Sequence, residues 1–534
     1  MSQLTTRGGI SRRWLAMAAM SLALITIGLD QTVLSLALPT LSKSLHASEA
    51  QLQWFVTAYT LALAAAMLPA GLLGDRIGRK TVLVGAIALF GVMSIACAFA
   101  PDANSFIAAR TILGVAGAAL TVMSLSVVTV LFSETERPRA MGIWAAGNFL
   151  ALPLGPIVGG YVLAHFWWGW VFLMNVPVVL VGLTAAMLFV PQSRSEKAPG
   201  IDVLGVVLSS TGLALLMYGL VQAGDSGWAS AGAIVPSIVS VAILAAFAGW
   251  ESLLTVRPYV QPLIDLGVFR SRSFNVGVVL AGVGIFGMFG VLFTLPQYLQ
   301  AILGMDAQGA GLRFLPLIGG LVVGAVAADR MAARIGAKLT AAFGFLLMAI
   351  GLAIAGGMTV STGDLYMAVF GVIVGAGAGI GLATAASAAI VELSAERAGV
   401  GGALIQAIVK LGPAFGATIL GSVLNSTYRS HVSVAGLPAQ TAAAVQRSVF
   451  GGLAVAGQLG STALTDSVRA AFVAGIDDAS RVAAVIAAVA MVAALVLMPR
   501  RAAATESDAA INDNQSPGEI SAAPKAPASA RMEP

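Results

Sequence analysis

Four ionisable side chains stand inside long apolar runs: Asp30, Arg110, Lys410 and, nearer the end of its run, Arg313. A charge at the centre of a bilayer costs about 2.5–3.5 kcal/mol on insertion scales, so such residues mark function by default. Asp30 and Arg110 have the most chemistry to offer. Burial disfavours a charged carboxylate, and a neighbouring guanidinium favours it. A separation that changes with conformation would switch proton affinity, with Asp30 as the proton carrier and Arg110 as its modulator. An inert ion pair is the competing reading. Aromatic faces nearby would attract a cation by about 0.5–2 kcal/mol. Trp54, Tyr59 and Phe149 are candidate faces, and Asn148 could orient a polar group. Ordinary apolar packing competes for each of them.

These residues need a scaffold, and composition says which kind. Of 534 residues, 58% are hydrophobic and only 10% charged, with 61 glycines. Soluble chains carry about a quarter charged residues. Apolar runs of roughly 20 residues recur along the chain, each long enough to cross a bilayer. Lipid offers backbone groups no partner, so the runs must be helical. The expected fold is an all-α membrane protein with fourteen spans, near 14–38, 52–73, 81–100, 105–130, 140–163, 169–190, 201–222, 231–250, 274–297, 309–329, 338–358, 364–390, 402–425 and 480–498. Asp30 and Arg110 then sit roughly 8–12 Å below one surface, at about 1.5 Å per residue.

Basic residues give direction. Arg76, Arg79 and Lys80, Arg137 and Arg139, Arg194 and Lys197, Arg257, Arg270 and Arg272, Arg330, Arg334 and Lys338, and Arg397 fall in alternate loops. The opposite short loops carry little beyond Lys43. The positive-inside rule makes the basic set cytoplasmic, with both termini inside. The net charge of +5 is thus topological, and nucleic acid is not an expected partner. Ser11-Arg12-Arg13-Trp14 faintly resembles a twin-arginine signal, but the following run is too long and contains Asp30. It reads as a cytoplasmic anchor. The lone Cys97 and the scattered His46, His165 and His431 make no metal site.

The chain repeats itself. Leu38-Pro39 and Leu295-Pro296 close the first and ninth spans, and Gly155-Pro156 and Gly412-Pro413 lie in the fifth and thirteenth. Both pairs stand 257 residues apart; Asp75-Arg76 and Asp329-Arg330 stand 254 apart. The organisation reads as a cytoplasmic start (1–13), a six-helix half (14–190), two inserted helices with linkers (191–273), a second half (274–498) with an external connection at 426–479, and a tail (499–534). The tail is rich in Ala, Ser, Pro and acidic residues and is expected to be disordered. Two halves in one orientation suit alternating access about a midplane site.

On these residues a resemblance enters. Gly71-Leu-Leu-Gly-Asp75-Arg76-Ile-Gly78-Arg79-Lys80 resembles the loop motif of the major facilitator superfamily. Ala109-Arg110-Thr-Ile-Leu-Gly114-Val-Ala-Gly117 is similar to its fourth-helix arginine motif. Gly155-Pro156-Ile-Val-Gly159-Gly160 is similar to its fifth-helix antiporter motif, and Leu29-Asp30 through Pro39 resembles the first-helix motif of the fourteen-helix drug–proton antiporters. The resemblance covers roughly 10–500. It implies a proton-coupled exporter of drugs, dyes and quaternary ammonium compounds in the bacterial inner membrane. Trp168-Gly169-Trp170 lacks the arginine frequent in that family, Thr57 stands where some dye exporters carry an acid, and Lys410 stands where arginine is frequent.

The remaining motifs have mechanical readings. The Asp75–Lys80 loop would latch the cytoplasmic side, with Asp75 accepting from a facing helix N-terminus. Small residues at Gly155, Gly159 and Gly160 permit close helix approach, and Pro156 removes a backbone donor. No Walker phosphate loop appears: Gly74 to Thr81 lacks the spacing. No cofactor is expected, because a membrane potential supplies about 2.3 kcal/mol per charge per 100 mV. The expected partners are organic cations, protons and the lipid bilayer, and the chain is expected to act as a monomer. Competing readings are an exporter of one metabolite or antibiotic, working with a periplasmic adaptor, and a non-transporting receptor. No Ser/His/Asp constellation suggests an enzyme.

Overall fold

A computed structural model describes residues 12–132, 136, 154–155, 157–193, 202–254, 269–391 and 395–498. Every regular element among them is helical. The first part comprises α1 (Arg12–Ser44), α2 (Glu49–Ile77), α3 (Arg79–Ala98), α4 (Ala103–Leu131), a helical stretch at 157–165, α5 (Trp170–Leu173) and α6 (Asn175–Phe189). The inserted pair is α7 (Val203–Ser226) and α8 (Ala231–Leu254). The second part comprises α9 (Arg272–Gln297), α10 (Ala307–Leu312), α11 (Leu315–Ile335), α12 (Ala337–Gly356), α13 (Asp364–Val391), α14 (Ala395–His431), α15 (Ala439–Arg447), α16 (Val449–Leu459) and α17 (Thr462–Leu497).

Among the described residues, eleven helices are long and apolar enough to cross a membrane. The chain is a multi-pass membrane protein. Of the other three expected spans, 52–73 lies in α2, 402–425 in α14, and 140–163 falls largely outside the described residues. Several expected ends moved. α1 continues through Pro39 to Ser44, so Asp30 lies about 20 Å along the helix from that end at 1.5 Å per residue. α9 likewise continues past Pro296 into a π-turn, Tyr298–Ile302. The tenth span is divided at Arg313 and Phe314, and Pro316 stands in the first turn of α11. The stretch 426–479 holds the end of α14, α15, α16 and the start of α17.

Among the described residues the two large apolar clusters fall one in each half and meet through Leu36, Phe293 and Ala417. The repeat is visible in both. Gly155 and Gly159 approach Thr32 and Val33 of α1, while Gly412 and Gly416 approach Ile285, Phe286 and Gly290 of α9. Gly78 (φ 113°) and Gly336 (φ 84°) make the equivalent turns after α2 and α11, with backbone angles open to glycine. The inserted α7 packs against both α2 and α14. There Met217 is buried with Leu61 and Ala414, and Trp54 packs beside them.

Candidate functional site

Helix α4 starts at Asp102, whose carboxylate accepts from the backbone N–H groups of Asn104 and Ser105 at 2.9 Å. That cap fixes the register of the turns that follow. Two turns on, Arg110 turns inward and is 1% exposed. Its approach to α2 depends on glycine: a Cβ at Gly114 would lie 2.3 Å from the Tyr59 carbonyl oxygen, and one at Gly117 would lie 3.1 Å from the Tyr59 hydroxyl. Helix α2 therefore lies hard against α4.

Three contacts hold Arg110. Its Nη1 donates to Asp30 Oδ2, and both residues are buried, Asp30 at 0% exposure. Its Nε donates to the Phe55 carbonyl at 3.3 Å. Its Cζ lies 4.2 Å from the centre of the Tyr59 ring. A buried ion pair is stable only when its remaining donors and acceptors are satisfied. Asp30 Oδ1 is buried and accepts no hydrogen bond among the described residues. Aromatic rings surround the pair's α4 end. Phe106 meets Phe55 at 4.5 Å and Phe172 at 5.4 Å between ring centres, and Trp168 at 6.4 Å. These rings keep water out and strengthen the electrostatics within.

The predicted residues fall in different places. Asp30 and Arg110 come together, and Tyr59 joins them. Tyr59, a candidate face for a cargo cation, is 0% exposed here and its ring lies against the guanidinium of Arg110. Trp54 is half-buried at the α2–α7–α14 seam. Asn148, Phe149, Pro156 and the side chains of Asp75 and Lys410 lie outside the described residues. In the loop motif, Gly71 lies 3.6 Å from Val122 by its added Cβ, and Gly74 packs on Met123. Arg76 is exposed and Arg79 half-buried. Gly78 faces Gln192, while Lys80 Nζ donates to the Met187 carbonyl at 2.7 Å. These contacts of the loop are with α4, α6 and the linker that follows α6. Arg313 is not buried but forms a two-point surface pair with Asp364 at 2.8 Å.

A polar seam between the halves was missed. Thr57 and Thr418 share a hydrogen bond at 2.8 Å, and the Ser422 hydroxyl oxygen lies 3.2 Å from Gln53 Oε1. Ser422 donates to the Leu220 carbonyl of α7 at 2.7 Å, and Asn425 to that of Gly224 at 3.2 Å. Nearer the Ser44 end, Gln297 donates to Glu49 at 3.2 Å and Gln300 to the Leu36 carbonyl at 3.1 Å. Gly160 there packs against Ala307 and Gln308. The available signal was spacing: Gln53 with Thr57, and Thr418 with Ser422, are i,i+4 polar pairs on otherwise apolar helices.

Comparison with known proteins fits this architecture. The chain is 34% identical over 496 residues to the multidrug efflux pump LfrA of Mycolicibacterium smegmatis, covering 90% of this chain and 96% of the relative. It is 32% identical to the tetracenomycin C resistance and export protein of Streptomyces glaucescens, covering 92% of each. It is 33% identical to the methyl viologen resistance protein SmvA of Salmonella typhimurium, covering 86% and 93% respectively. Among solved structures, an inward-facing bacterial homolog of the human lysosomal transporter Spinster shares the fold, with a TM-score of 0.65 at 17% identity over 92% of this chain and 99% of that one. Residues 20–417 match the Major Facilitator Superfamily, and the chain belongs to that family.

Proposed function

We propose that this protein is a proton-coupled exporter of lipophilic cationic drugs, dyes and quaternary ammonium compounds in the bacterial inner membrane. It would work by alternating access, with fourteen spans and both termini cytoplasmic. The relatives named for multidrug efflux and methyl viologen resistance support the cargo class. The observation that carries the coupling is the buried Asp30–Arg110 pair, with Asp30 Oδ1 open to a proton. Protonating Asp30 weakens its hold on Arg110, since a neutral carboxyl lacks the Coulombic attraction. The freed guanidinium keeps its contacts to Phe55 and Tyr59 on α2. Losing the proton restores the pair and draws α1 back to α4. Asp30 is thus neutral in one conformation and paired in another, which links proton movement to helix movement.

Contacts between the halves near Ser44–Glu49, by Gln297, Gln300 and Gly160, support a state closed on the side opposite the basic loops. With those loops inside, that is closure toward the exterior. Everted vesicles with an acid interior test the coupling: the wild type accumulates a cationic dye and Asp30→Asn does not. Equal accumulation by both would remove Asp30 from coupling. A second reading, export of one specific antibiotic, is favoured by the relative named for tetracenomycin C. A susceptibility panel of unrelated biocides and dyes separates them, because a dedicated exporter protects against a single compound.

A further inference from the structure

Helix α11 has two unlike faces. Its inner face meets α13 backbone to backbone: an added Cβ at Gly320 would lie 2.4 Å from the Val372 carbonyl, and one at Gly324 2.3 Å from that of Ala376. Such contact fixes the helix against rotation. Its outer face carries Val322, Val323 and Val326, which are 42%, 67% and 58% exposed. Arg330, Met331 and Arg334 follow toward the basic end. With Ala327 these residues line a groove of about 380 Å³, within the roughly 300–1,000 Å³ range of small-ligand sites. Arg330 and Arg334 are exposed, one helical turn apart, and make no hydrogen bond or ion pair among the described residues. The exposed Asp329 is the neighbouring acid on the helix, about 100° around it. Lys338 begins the next helix.

We infer that the outer face of α11 is a binding site for one anionic phospholipid, its phosphate held between Arg330 and Arg334 and an acyl chain lying along Val322, Val323 and Val326. Guanidinium suits this role because its planar fork meets phosphate oxygens in pairs. Anionic lipid is the charged partner present at a membrane surface. The apolar column above the arginines requires a ligand with a tail, which free phosphate lacks. The inference needs only the membrane setting and stands apart from proton coupling.

Native mass spectrometry of the full-length protein, exchanged into mixed micelles of phosphatidylglycerol and phosphatidylcholine, tests it. The wild type retains one phosphatidylglycerol in preference to phosphatidylcholine. Arg330→Gln with Arg334→Gln lowers that retention at least five-fold and leaves phosphatidylcholine unchanged, whereas Arg481→Gln, a cation elsewhere, has no effect. Val323→Trp, filling the groove, lowers retention with both arginines intact. Equal retention of the two lipids by the wild type overturns the inference, as does full retention by the double-arginine variant. A dimer that only the double variant loses, with lipid retention unchanged, would assign the face to a second copy and also overturn it.

Discussion

In the first half Asp30 meets Arg110, while in the second half the positions 257 residues on are Gly287 and Met367. The frame is common to both. Gly155 seats one glycine-bearing segment on α1, and Gly412 seats α14 on α9 in the same way. The chemistry is not shared. Gly287 lies against Met348, whose Cε would be 1.8 Å from an added Cβ, and Met367 is 3% exposed. The second half therefore spends its interior on apolar packing. Its polar groups Thr418, Ser422, Asn425 and Gln297 stand at contacts with the first half and with α7. The two halves share a frame, and the buried Asp30–Arg110 pair stands in the first of them.

The largest expected effects come from breaking that asymmetry. Arg110→Ala leaves the buried Asp30 unpaired, a change that costs about 3–5 kcal/mol, read as a lowered thermal midpoint in detergent. Asp30→Asn with Arg110→Gln should recover most of the loss without recovering dye transport. Gly287→Asp introduces a carboxylate with no guanidinium into a filled space and should destabilise to a similar degree. An unchanged midpoint for Gly287→Asp would erase the distinction between the halves.

Next come the glycines that both halves share. Gly155→Val and Gly412→Val each overpack a helix contact, at about 1–3 kcal/mol. Only the first pushes on Thr32, two residues from Asp30. Gly155→Val should therefore change the pH profile of transport, whereas Gly412→Val lowers rate and stability with the profile unmoved.

The seam sharpens the comparison further. Thr57→Val removes one partner of a buried hydrogen bond and should cost about 1–3 kcal/mol, while Thr57→Val with Thr418→Val should cost less than the sum of the two single changes. A double-mutant cycle on thermal stability reads the coupling. The smallest effect is at Asp102, whose carboxyl is held below its ordinary 3.8 chiefly by the Ser105 backbone N–H, with burial opposing and Asn104 assisting. Its contribution is present above 3.8 and lost as pH falls through the lower folded value. Asp102→Asn should flatten the stability profile in that acid range alone.

Much of this was legible because a membrane leaves few options. Apolar length fixed helices, and repeated dipeptides at one offset exposed the two halves. Asp30 and Arg110 stood out because charges in lipid are costly. Helix ends are less legible: proline reads as a stop at Pro39 and Pro296, yet both helices continue through it. A proline removes one donor without ending a helix that neighbours support. The stacking of Tyr59 on Arg110 was not legible, because an aromatic near a cavity and one stacked on a buried arginine share a single sequence signature. The Thr57–Thr418 contact joins residues 361 apart, and no local pattern pairs them.

The most direct test of the central claim counts protons. Purified protein in weakly buffered detergent is mixed with a cationic substrate, and the proton release is measured with a pH indicator for the wild type and Asp30→Asn. Release of about one proton per bound cation by the wild type, with none from an Asp30→Asn variant that still binds the cation, is the predicted result. Equal release from both proteins would contradict it and move the exchanging group elsewhere.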